Sequence, residues 1–236
     1  HNQTKNFKQM KKSTDKQLII SGILGLIGAI GVGVGEFLLH YSLGGIGYNG
    51  NNFEFFNQIP LSRLTLGHFV AVSFVPFYIA GYYHLYLIFK EKNPKIATAI
   101  FALGVIAFMI GGMWISSRAQ LGYLVHKIAE FPNDTSLQSL IEIYKNHAEI
   151  LVKSLRIWVA AISVLFVIPI IKGNTVYPKW MAIFNPIVIL LSVLVIYTIA
   201  PSVGFIIGPI AMNVVHFIVF GLSLVIIKTK QKTLSK

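Results

Sequence analysis

Glu36 and His40 stand four residues apart at the end of a long apolar run. A carboxylate one helical turn from an imidazole could act as a general base, share a proton or supply two metal ligands from one helix face. His68 and His147 could add acid/base or ligand groups. Arg63, Arg118 and Arg156 could clamp an anionic phosphate or carboxylate through forked hydrogen bonds. Trp114 lies one turn before Arg118, and Asn213 and His216, three residues apart, could share a polar helix face. No HExxH, HxxxH or DxxD spacing organises a metal site, and no GxSxG elbow offers a nucleophile. Gly31, Gly33 and Gly35 alternate, but no strand precedes them and no GxGxxG follows, so a phosphate-cradling loop is excluded. No metal site is assigned, and the sequence names no cofactor.

The elements that must carry these residues are membrane helices. Of 236 residues, 55% are hydrophobic and only 12% are charged, and the mean hydropathy is +0.69. Six runs reach the length of about 20 residues that a hydrocarbon core demands: 18–40, 64–89, 96–115, 150–171, 180–200 and 203–227. The first has no small-residue cleavage pattern after it and reads as a retained helix. The expected fold is an all-α, polytopic transmembrane bundle of six helices over 18–227. A basic lead, 1–17, is expected to be partly disordered, and 228–236 forms a basic tail. The formal charge of +12 is placed by topology, because 14 of the 20 basic residues fall in the two tails and the even-numbered turns, which become the cytoplasmic side when the chain crosses six times. Both termini are then inside, in a bacterial plasma membrane. The basic tails meet anionic lipid, and nucleic acid is not expected as a partner. With no cysteine, thiol chemistry and disulfides are excluded.

Along the first helix, Ser21, Gly25, Ala29 and Gly33 recur every fourth residue as a ridge of small side chains on which another helix, or a second copy of the chain, could pack closely. Glu36 and His40 continue that ridge and should face protein, with Arg63, Arg118 or Arg156 as the partner of the carboxylate; breaking such a buried pair costs about 3–5 kcal/mol. In the first external segment, GGIGYNGNN reads as turns and FEFF, 53–56, as a stretch that dips back onto the bundle. Pro76 should kink the second helix, whose His84 reads as an interfacial anchor between Tyr83 and Tyr86. The second external segment, 117–149, contains a helical pattern from Ser136, so the fourth helix should begin on the outer side and run for roughly 35 residues. Glu149 and Lys153 form an i, i+4 pair on it. Asn185-Pro186 should loosen the inner end of the fifth helix and bond to a neighbour, while Asn213 and His216 should bond to each other at mid-depth in the sixth.

The stretches NQIPLSRLTLGH, GGMWISSRAQLGYL, the FNP of the fifth helix and NVVHFIVFG in the sixth resemble a bacterial family of multi-pass membrane proteins known only as a domain of unknown function. The resemblance covers most of the chain and implies no activity. The residues themselves point to an outward-facing polar pocket that binds or processes an anionic amphiphile or lipid headgroup. There Glu36, His40, His68 and His147 would be the catalytic groups, and Arg63, Trp114, Arg118, Arg156, Asn213 and His216 would hold the ligand. Two other readings stay open: a proton-coupled small-solute transporter using Glu36, Asn213 and His216, and a non-catalytic interaction subunit assembled through small-residue helix faces.

Overall fold

In a computed structural model the described residues are 2–42 and 51–234; they form helices and short turns, with no strand among them. The elements are α1 (Asn2–His40), α2 (Leu61–Phe89), α3 (Pro94–Glu130), α4 (Thr135–Ile171), α5 (Pro186–Ile199), α6 (Pro201–Ile207) and α7 (Ala211–Leu234). Short 3-10 helices cover Asn51–Gln58, Lys179–Phe184 and Gly208–Ile210. Five segments are long and apolar enough to cross a membrane: Asp15–His40, Leu61–Phe89, Pro94–Glu130, Thr135–Ile171 and Pro201–Lys232. The protein is a helical membrane bundle.

Several boundaries differ from the sequence expectation. The polar lead is helical from Asn2, since no Gly or Pro interrupts residues 2–21. α3 does not end at Ile115 but continues to Glu130, because Leu121, Leu124 and Val125 are buried beyond the apolar span. Pro132 then stops the chain from continuing as a helix. Asp134 caps α4 by accepting from the Ser136 and Leu137 amides at 2.8 and 3.2 Å. At 37 residues each, α3 and α4 are about 55 Å long, so their hairpin outreaches a hydrocarbon core of about 30 Å. The fifth span is shorter than expected. Lys179–Phe184 is 3-10, and α5 starts only at Pro186, with Asn185 as its cap rather than an interhelical bond. The sixth is interrupted at Gly208–Ile210, where Pro209 withholds a backbone donor and its ring crowds the preceding turn.

α1 is gripped on two sides, by α2 and by α7. Gly22, Gly25, Gly28, Gly31 and Gly35 face α2, where a side chain on Gly25 would meet Gly81, and one on Gly28 would come within 2.9 Å of Phe77. The ridge read from the sequence, Ser21-Gly25-Ala29-Gly33, is buried between α2 and α7, with Gly25 also against Phe220 and Gly33 against Asn213. Close backbone approach over glycines is a main source of helix association in lipid, where burying more hydrocarbon gains little. Six of the helices close a ring in the order α1, α2, α3, α4, α5, α7, with α5, at 14 residues too short to count among the five spans, held only lightly by its neighbours. GGIGYNGNN lies mostly outside the described residues. The FEFF stretch folds back as expected, burying Phe55, Phe56 and Ile59 on α3.

Candidate functional site

Each interior polar group is fixed by one helix and answered by another. At the end of the bundle that carries His40, the Glu36 carboxyl is buried at 7% exposure and accepts a hydrogen bond from the Asn213 side-chain amide of α7. The Asn213 carbonyl oxygen in turn accepts from the Tyr78 hydroxyl of α2 at 2.6 Å. No ion pair of Glu36 with an arginine is found among the described residues, although the Arg118 charge acts on it through space. The ion pairs among the described residues are Lys127–Glu130, Lys145–Glu142 and the expected Glu149–Lys153, all at the surface. The anticipated Arg partners are committed elsewhere: Arg63 donates to the Leu38 and Tyr41 carbonyls that α1 leaves open at its C-terminus, and Arg118 donates through Nε to His40 Nε2 at 3.1 Å. Arg118 also lies over the rings of Phe53, Phe56 and Trp114, at 4.5 to 5.7 Å.

The buried imidazoles obey one rule. His40 donates from Nδ1 to the Glu36 main-chain oxygen at 3.0 Å, His216 to Met212 at 2.7 Å and His84 to Leu18 at 2.7 Å. At Nε2, His40 accepts from Arg118, while His216 meets the Tyr82 hydroxyl at 2.8 Å and His84 the Ser223 hydroxyl at 2.6 Å. A ring that donates at Nδ1 and accepts at Nε2 is the neutral tautomer. Asn213 and His216 therefore do not bond to each other, because Tyr78 and Tyr82, spaced by one turn on α2, each take one of them. Nor is His84 an interfacial anchor: it is fully buried and ties α1 to α7. The Tyr177 hydroxyl, in the turn after α4, reaches Ser223 at 2.7 Å, and burial pushes this phenol well above its ordinary range, keeping it a donor. The signal for these partners was present in the sequence as tyrosines at the middle of a span instead of its ends.

Above the Glu36–Asn213 pair lies a cavity of about 630 Å³, walled by residues of α1, α2, α3, α4, α5 and α7 on the His40 half of the bundle. Its walls are apolar, built from residues such as Phe108, Val159, Leu190 and Met212. Among the described residues Glu36 is its one acidic and Arg156 its one basic lining residue, joined by Trp114, Tyr197 and Asn213. Arg156, Leu191 and Leu194 both line the cavity and are exposed, which puts its mouth between α4 and α5, where the ring is loosest. The broken turn Gly208-Pro209 forms part of the wall. Of the sequence candidates, Glu36, Trp114, Arg156 and Asn213 meet at this cavity. His40 stacks behind Trp114 with ring centres 5.6 Å apart, Arg118 lies beside both, and His216 is one turn from Asn213. Arg63 serves the end of α1, His68 is half-buried on α2 with its Nδ1 unpartnered, and His147 is exposed on α4. None of these three lines the cavity.

No curated protein and no solved structure matches the chain. A family model described as "Family of unknown function (DUF6796)" matches residues 10–230, nearly the whole chain and every element that walls the cavity, and the protein belongs to that family.

Proposed function

We propose that this protein binds an anionic amphiphile, most simply a lipid of the outer leaflet of a bacterial plasma membrane, in the cavity enclosed by its helices. The observation that carries this reading is an apolar cavity of about 630 Å³, within the range of ligand pockets, with a guanidinium at its mouth and a buried carboxyl on its far wall. A hydrocarbon chain suits the apolar walls, and an anionic head suits Arg156. Holding is better supported than processing, because His40 is engaged at both ring nitrogens and His68 and His147 stand away from the cavity. The test uses Gly111, which lines the cavity and where an added Cβ would meet no atom within 4 Å. Gly111→Trp should therefore fill the space without disturbing the bundle. Lipid retained through purification, measured by mass spectrometry, should fall at least tenfold in this variant while thermal unfolding is unchanged. Retention equal to wild type would overturn the reading.

A proton-coupled carrier is favoured by one separate observation: the last membrane pass is broken at Gly208–Ile210, beside the wall that holds Glu36. Discontinuous helices at a mid-bundle site are a recurrent transporter feature. Uptake of a solute into proteoliposomes that disappears when the pH gradient is collapsed would favour this reading over simple binding.

A further inference from the structure

We propose that α5 and α6 form a side gate: a hairpin that swings as one piece about two breaks in the helices and opens the cavity to the surrounding lipid. This rests on the binding reading above and names how that site takes up and releases its ligand.

The hairpin is one piece because its two legs touch at close range. A Cβ added to Gly204 of α6 would run into the Tyr197 main chain of α5, so no side chain separates the legs there. The Phe205 ring meets the Tyr197 ring edge-on with centres 5.5 Å apart, and a Cβ on Gly208 would come within 3.1 Å of the same ring. Ala200 alone joins the two helices, which leaves the connection no slack.

Both legs end in a departure from the α-helix. α5 is preceded by the 3-10 turn Lys179–Phe184 and by Asn185, whose backbone is extended at φ −80° and ψ 158°. α6 runs into the 3-10 stretch Gly208–Ile210, where Pro209 has no amide to offer the preceding turn. A short 3-10 stretch within a longer helix often marks a hinge, because its hydrogen bonds are poorer than those of the α-helix. The legs are held at these breaks and not at their tip. Beside the first, the Ile187 amide donates to the Ser163 hydroxyl of α4 at 3.1 Å, and Met181 is fully buried. At the second, Pro209 is buried and the stretch packs on α1. Toward the tip the burial fades. Val193 is the last buried residue of α5, and in α6 only Gly204 is buried, under Tyr197 of the same hairpin. Ile199, at the tip, is 75% exposed.

The cavity lies directly behind this hairpin. Leu190, Leu194 and Tyr197 of α5 and the hinge pair Gly208-Pro209 all line it, facing Val152 and Arg156 of α4 across the mouth. Swinging the tip away from α4 widens that mouth sideways. The residues uncovered on α5 are leucines, and meeting lipid chains instead of protein costs them little. A ligand already in the bilayer can then slide in without crossing water, and the break in the last pass serves uptake from the membrane.

The chain has no cysteine, so spin labels can be attached at introduced ones. One pair spans the mouth, Ile150 on α4 and Ile199 at the tip; a second, Ile171 and Ile183, lies by the first break, and all four positions are exposed. In detergent, pulsed electron paramagnetic resonance should give two distances for the tip pair and one for the pair by the break. Pro209→Ala restores an amide and lets α6 continue into α7, so it should remove the longer tip distance. It should also slow exchange of bound lysophosphatidylglycerol at least tenfold with equilibrium affinity unchanged, because a gate sets the barrier and not the end states. Pro76→Ala, at an exposed proline inside α2, should alter neither. A single tip distance in wild type, two distances for both pairs, or exchange that Pro209→Ala does not slow overturns the gate. Failure of the binding reading is seen separately, as Gly111→Trp retaining lipid like wild type.

Discussion

Glu36 shows how the identity of one partner reverses a mutational expectation. Had its partner been arginine, Glu36→Gln would have orphaned a buried cation at about 3–5 kcal/mol. Its partner is Asn213, which needs only an acceptor, and a glutamine carbonyl supplies one. Thermal unfolding in detergent should therefore find Glu36→Gln at least as stable as wild type. Tyr78→Phe, by contrast, leaves the Asn213 carbonyl oxygen buried without its donor and should cost about 1–2 kcal/mol. A loss in Glu36→Gln larger than in Tyr78→Phe would mean that a cation compensates the carboxyl after all. The sequence was informative here about placement and silent about pairing. Glu36, His40, Asn213 and His216 were all readable as buried from the ridge and the span that carry them, and all four are buried. Which group answers each depends on how α2 and α7 are rotated against α1. Periodicity along one helix does not specify that rotation, so Tyr78 and Tyr82 went unrecognised.

At the scale of elements, the helix glycines separate into two kinds of position by what an added Cβ would meet. Gly25 lies against the Gly81 backbone, which has no freedom to retreat, whereas Gly111 on α3 opens onto empty space. Gly25→Val should force α1 and α2 apart and cost roughly 1–3 kcal/mol, the usual scale of overpacking, with a visibly lower unfolding temperature; Gly111→Val should be neutral in the same assay. Equal effects would show that the α1–α2 seam is not closely packed. Spans with strong apolar runs were legible from the sequence, and the first two match the membrane-crossing segments Asp15–His40 and Leu61–Phe89 to within a few residues. The ends were less so. Hydropathy marks where lipid ends, not where the helix ends, and α3 continues for four turns past that point because its next residues pack on Phe55, Phe56 and α4. Pro209 likewise lies within an unbroken apolar run, and its effect on the last pass is local backbone chemistry that a hydropathy window averages away.

For the whole molecule, the orientation determines which leaflet can feed the mouth between α4 and α5. The charge asymmetry predicts that the α2–α3 turn lies inside and the α3–α4 turn outside. In intact cells a cysteine at Asn133 should react with an impermeant thiol reagent, and one at Lys92 should react only after permeabilisation; both positions are exposed. The reverse pattern would turn the molecule over and move the ligand's source to the inner leaflet. The bond between Glu36 and Asn213 also has a consequence in time. The two residues are separated by 177 positions, so the carboxyl leaves the ribosome long before the amide that will receive it exists. At 5–20 residues per second the wait is roughly 9 to 35 seconds. His84 waits similarly for Ser223, 139 positions on. The nascent chain thus passes through the insertion machinery with its polar interior half-written, and a product truncated before the last helix keeps those unmet groups permanently, which gives the cell's surveillance proteases a chemical mark by which to tell an unfinished copy from a finished one.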